Sequence, residues 1–228
     1  MSARRYDGSV ADSSAAKRTG RPKAQDAPAT LEQILDAAFQ AFATHGYDGV
    51  SVRTLNRELG VSHNLIHQRF GSKLGLWYAA VDHAFGQQVT ELATAFDPTL
   101  SDPLDQLNHA IRRFVHYNAE RPELLGLMNI EGRIESERLD YIYERYIAPA
   151  LAPLGLLLEH LRKEGRIRPI TLQALFFLVA HGAAAPFTLA PLARHFDAAP
   201  LDPGQVAEHA ALTANVITSG LRLDSPGR

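Results

Sequence analysis

Cysteine is absent from the 228-residue sequence. Disulfides, thiolate metal sites and cysteine nucleophiles are therefore excluded. Long apolar runs are missing as well, since none reaches the roughly 18 residues that a membrane-spanning helix needs, and the N-terminus lacks the apolar core of a signal peptide. These absences predict a soluble, cytoplasmic protein that does not bind a membrane.

Catalytic signatures are also lacking. The sequence has no His/Glu spacing typical of a metal site, no Gly-rich phosphate loop and no nucleophile elbow. Its ten histidines are scattered, and none stands beside a carboxylate at a repeated helical offset. The sequence therefore predicts neither an enzyme nor a bound metal or cofactor. No alternation of the β-strand type appears either, so we expect an all-α fold.

The charge is unevenly distributed along the chain, although the net charge is only −2. Residues 1–29 carry six basic and three acidic side chains, residues 30–73 carry four of each, and residues 74–228 carry 13 basic and 18 acidic ones. An acidic body with a basic arm at one end is typical of a protein that touches DNA with that end only.

The segment from Ser51 to Lys73 has the pattern of two short helices joined by a tight turn. Ser51 is a suitable N-cap, and Gly60 can supply the left-handed residue that ends the first helix. Ser62 is predicted to cap the second helix. Two helices joined by about three residues at a glycine form a helix-turn-helix unit, whose second helix enters the major groove of DNA.

The second helix has two different faces. At roughly 100° per residue, Ile66, Arg69 and Phe70 fall on one side, and Asn64 and Gln68 point the opposite way. Asn and Gln can pair with adenine through two hydrogen bonds, and the neighbouring Leu65 can touch a thymine methyl group. The alternative is an ordinary polar surface helix, but such a helix more often carries Glu and Lys.

From Leu31 to Phe85 the chain resembles the N-terminal domain of the tetracycline-repressor (TetR) family of bacterial regulators. The matching residues are ILDAAFQAFATHGYDGVSVRTLNRELGVS, then a helix ending in Phe70, then SKLGLW. Two positions depart from the family: His67 replaces the usual Tyr, and Asn56 replaces a small residue. The resemblance thus implies DNA binding but no particular operator sequence.

With the resemblance, the DNA-contacting side chains can be assigned. Similar proteins place a guanine-reading side chain where Arg53 lies. Bases are expected to be read by Arg53, His63, Asn64, Leu65 and Gln68, while the backbone is contacted mainly by Ser51, His67 and Lys73. Ser62 is also assigned to the DNA-binding residues. Lys73 also falls at a helix N-terminus, where an anion is favoured.

Residues 1–29 are predicted to form a disordered basic arm. Within it, KRTGRPK (Lys17 to Lys23) resembles the core of an AT-hook, which would place Arg21 in the minor groove. The alternative is a solvated basic tail. Residues 30–74 are assigned to the helix-turn-helix domain, and residues 75–228 to a larger helical domain for effector binding and dimerisation.

The larger domain shows helical periodicity over 73–96, 103–118, 122–134 and 138–163, with a break or kink expected near Pro149. Thr171 to Ala185 is apolar nearly all round, which predicts burial on both sides. The last helix carries a stripe of mostly small residues from Val206 to Leu221. The two helices could form a two-fold dimer interface or ordinary intrachain core, and the TetR resemblance favours a homodimer.

Similar proteins commonly hold an effector inside this domain. The residues predicted to line such a site are Trp77, Phe114, Met128, Glu131, Tyr146, Phe176 and His181. Glu131 and His181 attract attention because both fall among apolar residues, although each could equally be a satisfied core side chain.

These observations predict a homodimeric, ligand-responsive repressor that binds a palindromic double-stranded DNA operator and releases it when a small molecule binds. An architectural DNA-binding protein without an effector is one alternative. A helical enzyme with a vestigial helix-turn-helix is another.

Overall fold

The computed structural model describes residues 29–62, 64–93, 96–196 and 199–223, with side chains given for all of these except 87–93. Across those ranges the regular structure is helical, apart from one isolated antiparallel bridge between Ile167 and Arg222. The expected all-α fold is confirmed. Every helix in the described ranges is too short or too polar to pass through a lipid bilayer.

The first three helices are α1 (Leu31–Gly49), α2 (Val52–Glu58) and α3 (Leu65–Phe70). Thr30 and Gln33 form a complete capping box at the start of α1, and Ser51 Oγ accepts a hydrogen bond from Thr54 N at the start of α2. Gly60 has φ 64°, a left-handed conformation that favours glycine and lets the chain turn sharply between α2 and α3.

The predicted cap at Ser62 is wrong. Helix α3 begins at Leu65, with Asn64 at the N-cap position and no capping hydrogen bond from its side chain. Ser62 instead contributes its backbone oxygen, which accepts from Leu65 N at 3.0 Å. A backbone turn therefore precedes the helix, so α3 is shorter than the periodicity indicated.

Helix α4 (Lys73–Ala93) follows the helix-turn-helix and contacts both α1 and α5. Gly71, at φ 74°, turns the chain, and Ser72 Oγ then accepts from Gly75 N at 3.0 Å to cap α4. The next helices are α5 (Pro103–Glu120), α6 (Pro122–Glu131), α7 (Glu137–Ile142) and α8 (Ala148–Lys163). Helix α6 ends at Glu131, three residues before the end of the predicted range 122–134, and Ile134 is exposed.

A π-helical segment, Tyr143–Ile147, joins α7 to α8. Its backbone bond from Ala148 N to Tyr143 O widens the helix just before Pro149. The distortion expected near Pro149 is confirmed, but the helix continues instead of breaking. Gly165, with φ 66°, follows the end of α8.

The remaining helices are α9 (Leu172–Phe177), a second π-helical segment (Leu178–Ala183), α10 (Ala185–Thr188), α11 (Ala190–Ala193), a short 3₁₀ turn (Arg194–Phe196) and α12 (Pro203–Leu221). The small-residue stripe of α12 is buried within the chain, where Val206, Ala210 and Ala214 belong to the core and α12 packs on α5. Of the two alternatives for this stripe, the structure shows ordinary intrachain core.

Two apolar cores organise these helices. The first is formed by α1 to α4 together with residues of α6 and α7, and includes Phe42, Trp77 and Leu127. The second lies among α5, α8, α9 and α12, and includes Leu107, Leu161 and Leu175. Helices α4, α6 and α7 therefore share one close-packed core with the helix-turn-helix.

Candidate functional site

The outward face of the helix-turn-helix is polar and uncrowded. Ile66 is buried against the core, while Asn64, His67 and Gln68 are exposed and Leu65 is half-buried. Ser51, Arg53 and Ser62 are exposed as well, and α2 contacts α3. These predicted DNA-contacting side chains are therefore all accessible from solvent, with Leu65 only partly so. Arg69 is exposed as well, so its assignment to the inner face is wrong.

Two predicted DNA contacts, Arg21 and His63, lie outside the described residues, as does the basic arm before Ala29. Asn56 is 1% exposed and belongs to the interior of α2.

Lys73 is the first residue of α4 and is half-buried. Its Nζ lies 4.5 Å from the centre of the Tyr47 ring, at the end of α1. The Arg138 guanidinium lies 4.3 Å from the centre of the same ring. Tyr47 thus holds a cation from α4 and a cation from α7, two contacts of the cation–π type.

Arg138 is held in turn by Glu131. The Arg138 Nε lies 3.1 Å from both carboxylate oxygens of Glu131, whose side chain is only 1% exposed. A buried carboxylate needs such a partner. Glu131, Arg138, Tyr47 and Lys73 therefore form a continuous series of contacts from the end of α6 to the start of α4. We call this series the α6–α4 contact chain.

Two adjoining apolar cavities lie inside the larger domain. One, of about 70 Å³, is lined by residues of α5, α8 and α9 and by Phe96 and Val179. The other, of about 50 Å³, lies next to it and includes residues of α4 and α6. They share a wall formed by Phe114, Ala150, Leu151 and Phe176. We call the two together the bundle cavity.

Four of the predicted effector contacts line this cavity: Phe114, Met128, Tyr146 and Phe176. Three do not. Trp77 is fully buried in the first core, packed edge-on against Tyr78 and Tyr141. Glu131 is occupied by Arg138, and His181 is exposed with its ring stacked on Phe177 at 5.3 Å. The structure therefore places Trp77, Glu131 and His181 against neighbours outside the cavity, and not in its wall as predicted.

A profile of the family described as "Bacterial regulatory proteins, tetR family" matches residues 34–80, the segment from α1 into α4. Residues 34–80 thus share the N-terminal region of the TetR family. The resemblance expected from the sequence is thereby confirmed.

Among its relatives, the HTH-type transcriptional repressor SCO4008 of Streptomyces coelicolor is 31% identical over 109 residues, which cover 48% of this chain and 53% of the relative. The HTH-type transcriptional repressor NicS of Pseudomonas putida is 26% identical over 117 residues, which cover 51% of this chain and 54% of NicS. The chain spans about half the length of the curated relatives it matches.

Solved structures of TetR-like fold match most of the chain. HlyIIR, a haemolysin II transcriptional regulator, has 21% identity and a TM-score of 0.61, with 84% of this chain and 96% of HlyIIR covered. The ketosteroid regulator KstR2 of Mycobacterium tuberculosis has 14% identity and a TM-score of 0.65, with 84% and 94% covered. FadR of Bacillus subtilis, solved with stearoyl-CoA, has 17% identity and a TM-score of 0.61, with 84% and 99% covered. These likenesses show the fold.

The TetR fold of this chain contains one polar cluster that was not predicted from the sequence. Asp82 of α4 accepts hydrogen bonds from the hydroxyls of Tyr141, at 2.6 Å, and of Tyr146. Arg145 Nε donates to Tyr146 Oη at 3.2 Å. Burial and the bond to Asp82 raise the pKa of Tyr146 to about 12, and the same two causes raise the pKa of Tyr141. We call this group the Asp82 cluster.

The Asp82 cluster connects the bundle cavity to α4, because the Tyr146 ring lines the cavity while its hydroxyl is bound to Asp82. The signal in the sequence was the YIYERY run, which sets Tyr141 and Tyr146 five residues apart. In a regular α-helix that spacing would separate the two hydroxyls by about 140° around the axis. The π-helical segment was not predicted, so their convergence was not foreseen.

Proposed function

We propose that this TetR-like protein is an effector-responsive repressor that binds a palindromic operator as a homodimer. The observation that carries the proposal is that one helix, α4, is connected both to α3 and to the bundle cavity. The N-terminus of α4 adjoins the exposed polar face of α3, and its middle is bonded through Asp82 to Tyr146, a wall of the bundle cavity. A molecule in the cavity can therefore act on the helices that contact DNA.

Recognition of DNA falls to α3 and the start of α2. Gln68, Asn64 and Arg53 face the major groove and carry the hydrogen-bonding groups suited to adenine and guanine edges. Lys73, at the N-terminus of α4, contacts a phosphate. Its Nζ also lies over Tyr47, so the α6–α4 contact chain sets its position.

Dimerisation brings two helix-turn-helix units together. Two recognition helices must lie about 34–36 Å apart to enter successive major grooves on one side of the duplex. The surface that suits a second copy is formed by exposed apolar residues of α8, α9 with its π-helical extension, and α12: Leu156, Phe177, Leu178, Leu212 and Val216. Exposed apolar side chains on neighbouring helices are typical of an interface.

Release follows from the size of the bundle cavity. Its two parts measure about 70 and 50 Å³, whereas pockets for drug-sized ligands measure roughly 300–1,000 Å³. An effector of that size must displace wall residues, among them Tyr146. Displacing Tyr146 disrupts its bond to Asp82. Helix α4 is then free to move, which changes the spacing of the two recognition helices. The effector shifts the protein toward this state only as far as it binds that state more tightly.

The decisive experiment measures binding of the purified protein to the intergenic DNA beside its own gene, by fluorescence anisotropy, while a small-molecule library is added. The expected result is tight, sequence-dependent binding that one class of molecule abolishes. Binding that is equal for all DNA sequences would refute the proposed specificity. Specific binding that no molecule affects would refute the effector response.

A further inference from the structure

Asn118 is a buried amide in an otherwise apolar wall. It lies on α5, one turn after Phe114, and is 0% exposed. Among the described lining residues of the bundle cavity, none carries a charged side chain. The polar side chains there are those of Asn118 and Tyr146, and the Tyr146 hydroxyl is already bonded to Asp82 and Arg145.

One half of the Asn118 amide is satisfied and the other is not. Nδ2 donates to the backbone oxygen of Phe114 at 2.7 Å, which fixes the orientation of the amide, because the reversed amide would place two oxygens against each other. Oδ1 has no hydrogen-bond partner among the described residues. An unpaired buried acceptor is costly, and in natural structures such groups often mark a functional requirement.

The cavity is also elongated. Its lining residues on α5 extend from Ala110 to Asn118, a distance of about 12 Å at the rise of an α-helix. Asn118, Tyr146 and Met128 line one end of the cavity, and Phe96 and Leu175 line the other end. A long apolar body thus has room along α5, with a single polar position at one end.

We propose that the effector is an elongated, uncharged and mostly apolar molecule with a terminal hydrogen-bond donor, such as a hydroxyl or amide N–H, which binds Asn118 Oδ1. This inference rests on the proposed effector-responsive function. It specifies the ligand by chemistry: a neutral donor is accepted, a pure acceptor leaves Oδ1 unpaired, and an anion meets no cation in the described wall.

The test uses two isomeric probes, 1-nonanol and methyl octyl ether, which have the same formula but differ in that only the alcohol donates. Isothermal titration calorimetry with the full-length protein should show that the alcohol binds roughly tenfold more tightly than the ether. Nonanoate at neutral pH should bind more weakly than the alcohol. In the Asn118→Leu variant, which keeps the shape but lacks the acceptor, the preference for the alcohol should disappear.

Two controls keep the result interpretable. Thermal unfolding of Asn118→Leu verifies that it folds. Ala150→Phe, which places a ring in the cavity at the shared wall, should abolish binding of both probes. Equal affinities of the wild-type protein for alcohol and ether would overturn the inference, as would an alcohol preference that survives in Asn118→Leu. The comparison within the wild type stands even if that variant does not fold.

The same preparation is assayed separately for DNA binding. A protein that distinguishes the probes but binds no intergenic DNA would refute the proposed function and support the ligand chemistry. A protein that binds DNA and releases it with a donor-free or anionic molecule would support the proposed function and refute the ligand chemistry.

Discussion

At the scale of single residues, truncation of Gln68 distinguishes base-specific recognition from affinity for DNA of any sequence. It is exposed on α3, and its amide can form two hydrogen bonds with adenine. Gln68→Ala should cost about 1–3 kcal/mol on the specific operator and relax base preference at one position. Binding of a randomised half-site library, followed by sequencing, measures both effects.

Lys73→Ala supplies the comparison, since a phosphate contact carries no sequence information and its removal should weaken all sequences alike. Gln40→Ala, an exposed Gln on α1, is the neutral control. An unchanged preference profile in Gln68→Ala would show that α3 presents another face to DNA.

Tyr146 gives a prediction about pH. Its pKa is raised from 10.0 to about 12, first by burial and then by the bond to Asp82, so the neutral hydroxyl stabilises the folded state. That contribution is complete below pH 10 and is lost as pH rises toward 12. Tyr146→Phe should therefore lower the free energy of unfolding by about 1–3 kcal/mol at neutral pH and make the alkaline decline shallower. Urea titrations from pH 7 to 12 measure it.

Tyr143→Phe is the matched control, because Tyr143 lies in the same π-helical segment and its ring is exposed. This variant should keep both the stability and the alkaline profile of the wild type. If Tyr146→Phe were as stable as Tyr143→Phe at neutral pH, the bond to Asp82 would contribute nothing to holding the cavity wall against α4.

At the scale of helices, the pair of Glu131 with Arg138 ties the end of α6 to α7 and to the Tyr47 ring. Glu131→Gln leaves Arg138 without its charged partner, and should lower the free energy of unfolding by about 3 kcal/mol, as broken buried pairs do. Operator affinity should also fall, because Lys73 is then less firmly placed. Equilibrium urea unfolding and DNA anisotropy measure the two effects.

Glu135→Gln, at an exposed position a few residues further on, should change neither quantity. If Glu131→Gln folded as stably as the wild type and lost only its response to an effector, the original prediction of a ligand contact would be restored.

Most helix boundaries could be predicted, because they are decided by local chemistry. Thr30, Ser51 and Thr171 cap their helices through hydrogen bonds to backbone N–H groups within three residues, and Gly60 and Gly71 take the left-handed conformations that end others. Such signals need no knowledge of the rest of the fold. The exposed polar residues of α3 were predictable for the same reason.

Partners across helices could not be predicted in this way. Periodicity placed Glu131 on an apolar stripe, but only the tertiary fold brings Arg138 to it. Periodicity likewise gave α12 a small-residue face. Such a face can pack against another helix of the same chain or against a partner subunit, and only the tertiary fold shows that it packs on α5. Asn118 follows Phe114 by four residues, so the two share a helical face, and this spacing was the signal in the sequence for an amide in the cavity wall.

At the scale of the whole molecule, the exposed face of α12 should hold the homodimer together. Leu212→Glu places a charge in the proposed interface and should weaken dimerisation by several kcal/mol. Operator affinity should fall with it, because a monomer engages one half-site only. Sedimentation equilibrium measures the association constant, and Ala207→Glu, an exposed change on another side of α12, is the control. A Leu212→Glu protein that remains dimeric at wild-type strength would place the interface elsewhere.

The function predicted for the basic arm follows from the distribution of charge along the whole chain. The helix-turn-helix segment 30–73 is formally neutral and the rest of the body is acidic, so the positive charge available to phosphates is concentrated in residues 17–23, which hold Lys17, Arg18, Arg21 and Lys23. We predict that Arg21 enters the minor groove beside each half-site while the other three contact phosphates. Insertion of Arg is favoured where the groove is narrow, as in A-tracts.

Deleting residues 1–25 should weaken operator binding and flatten the slope of log affinity against log salt by about 0.9 for each phosphate that the arm no longer neutralises. Preference for A·T-rich flanks should also decline, while the core half-site preference, which α3 carries, should persist. A full-length variant with Gln at the four basic positions 17, 18, 21 and 23 separates charge from chain length and should behave like the deletion. Equal salt slopes for all three proteins would show that the arm is a solvated tail, because a counterion released on binding must appear in the slope.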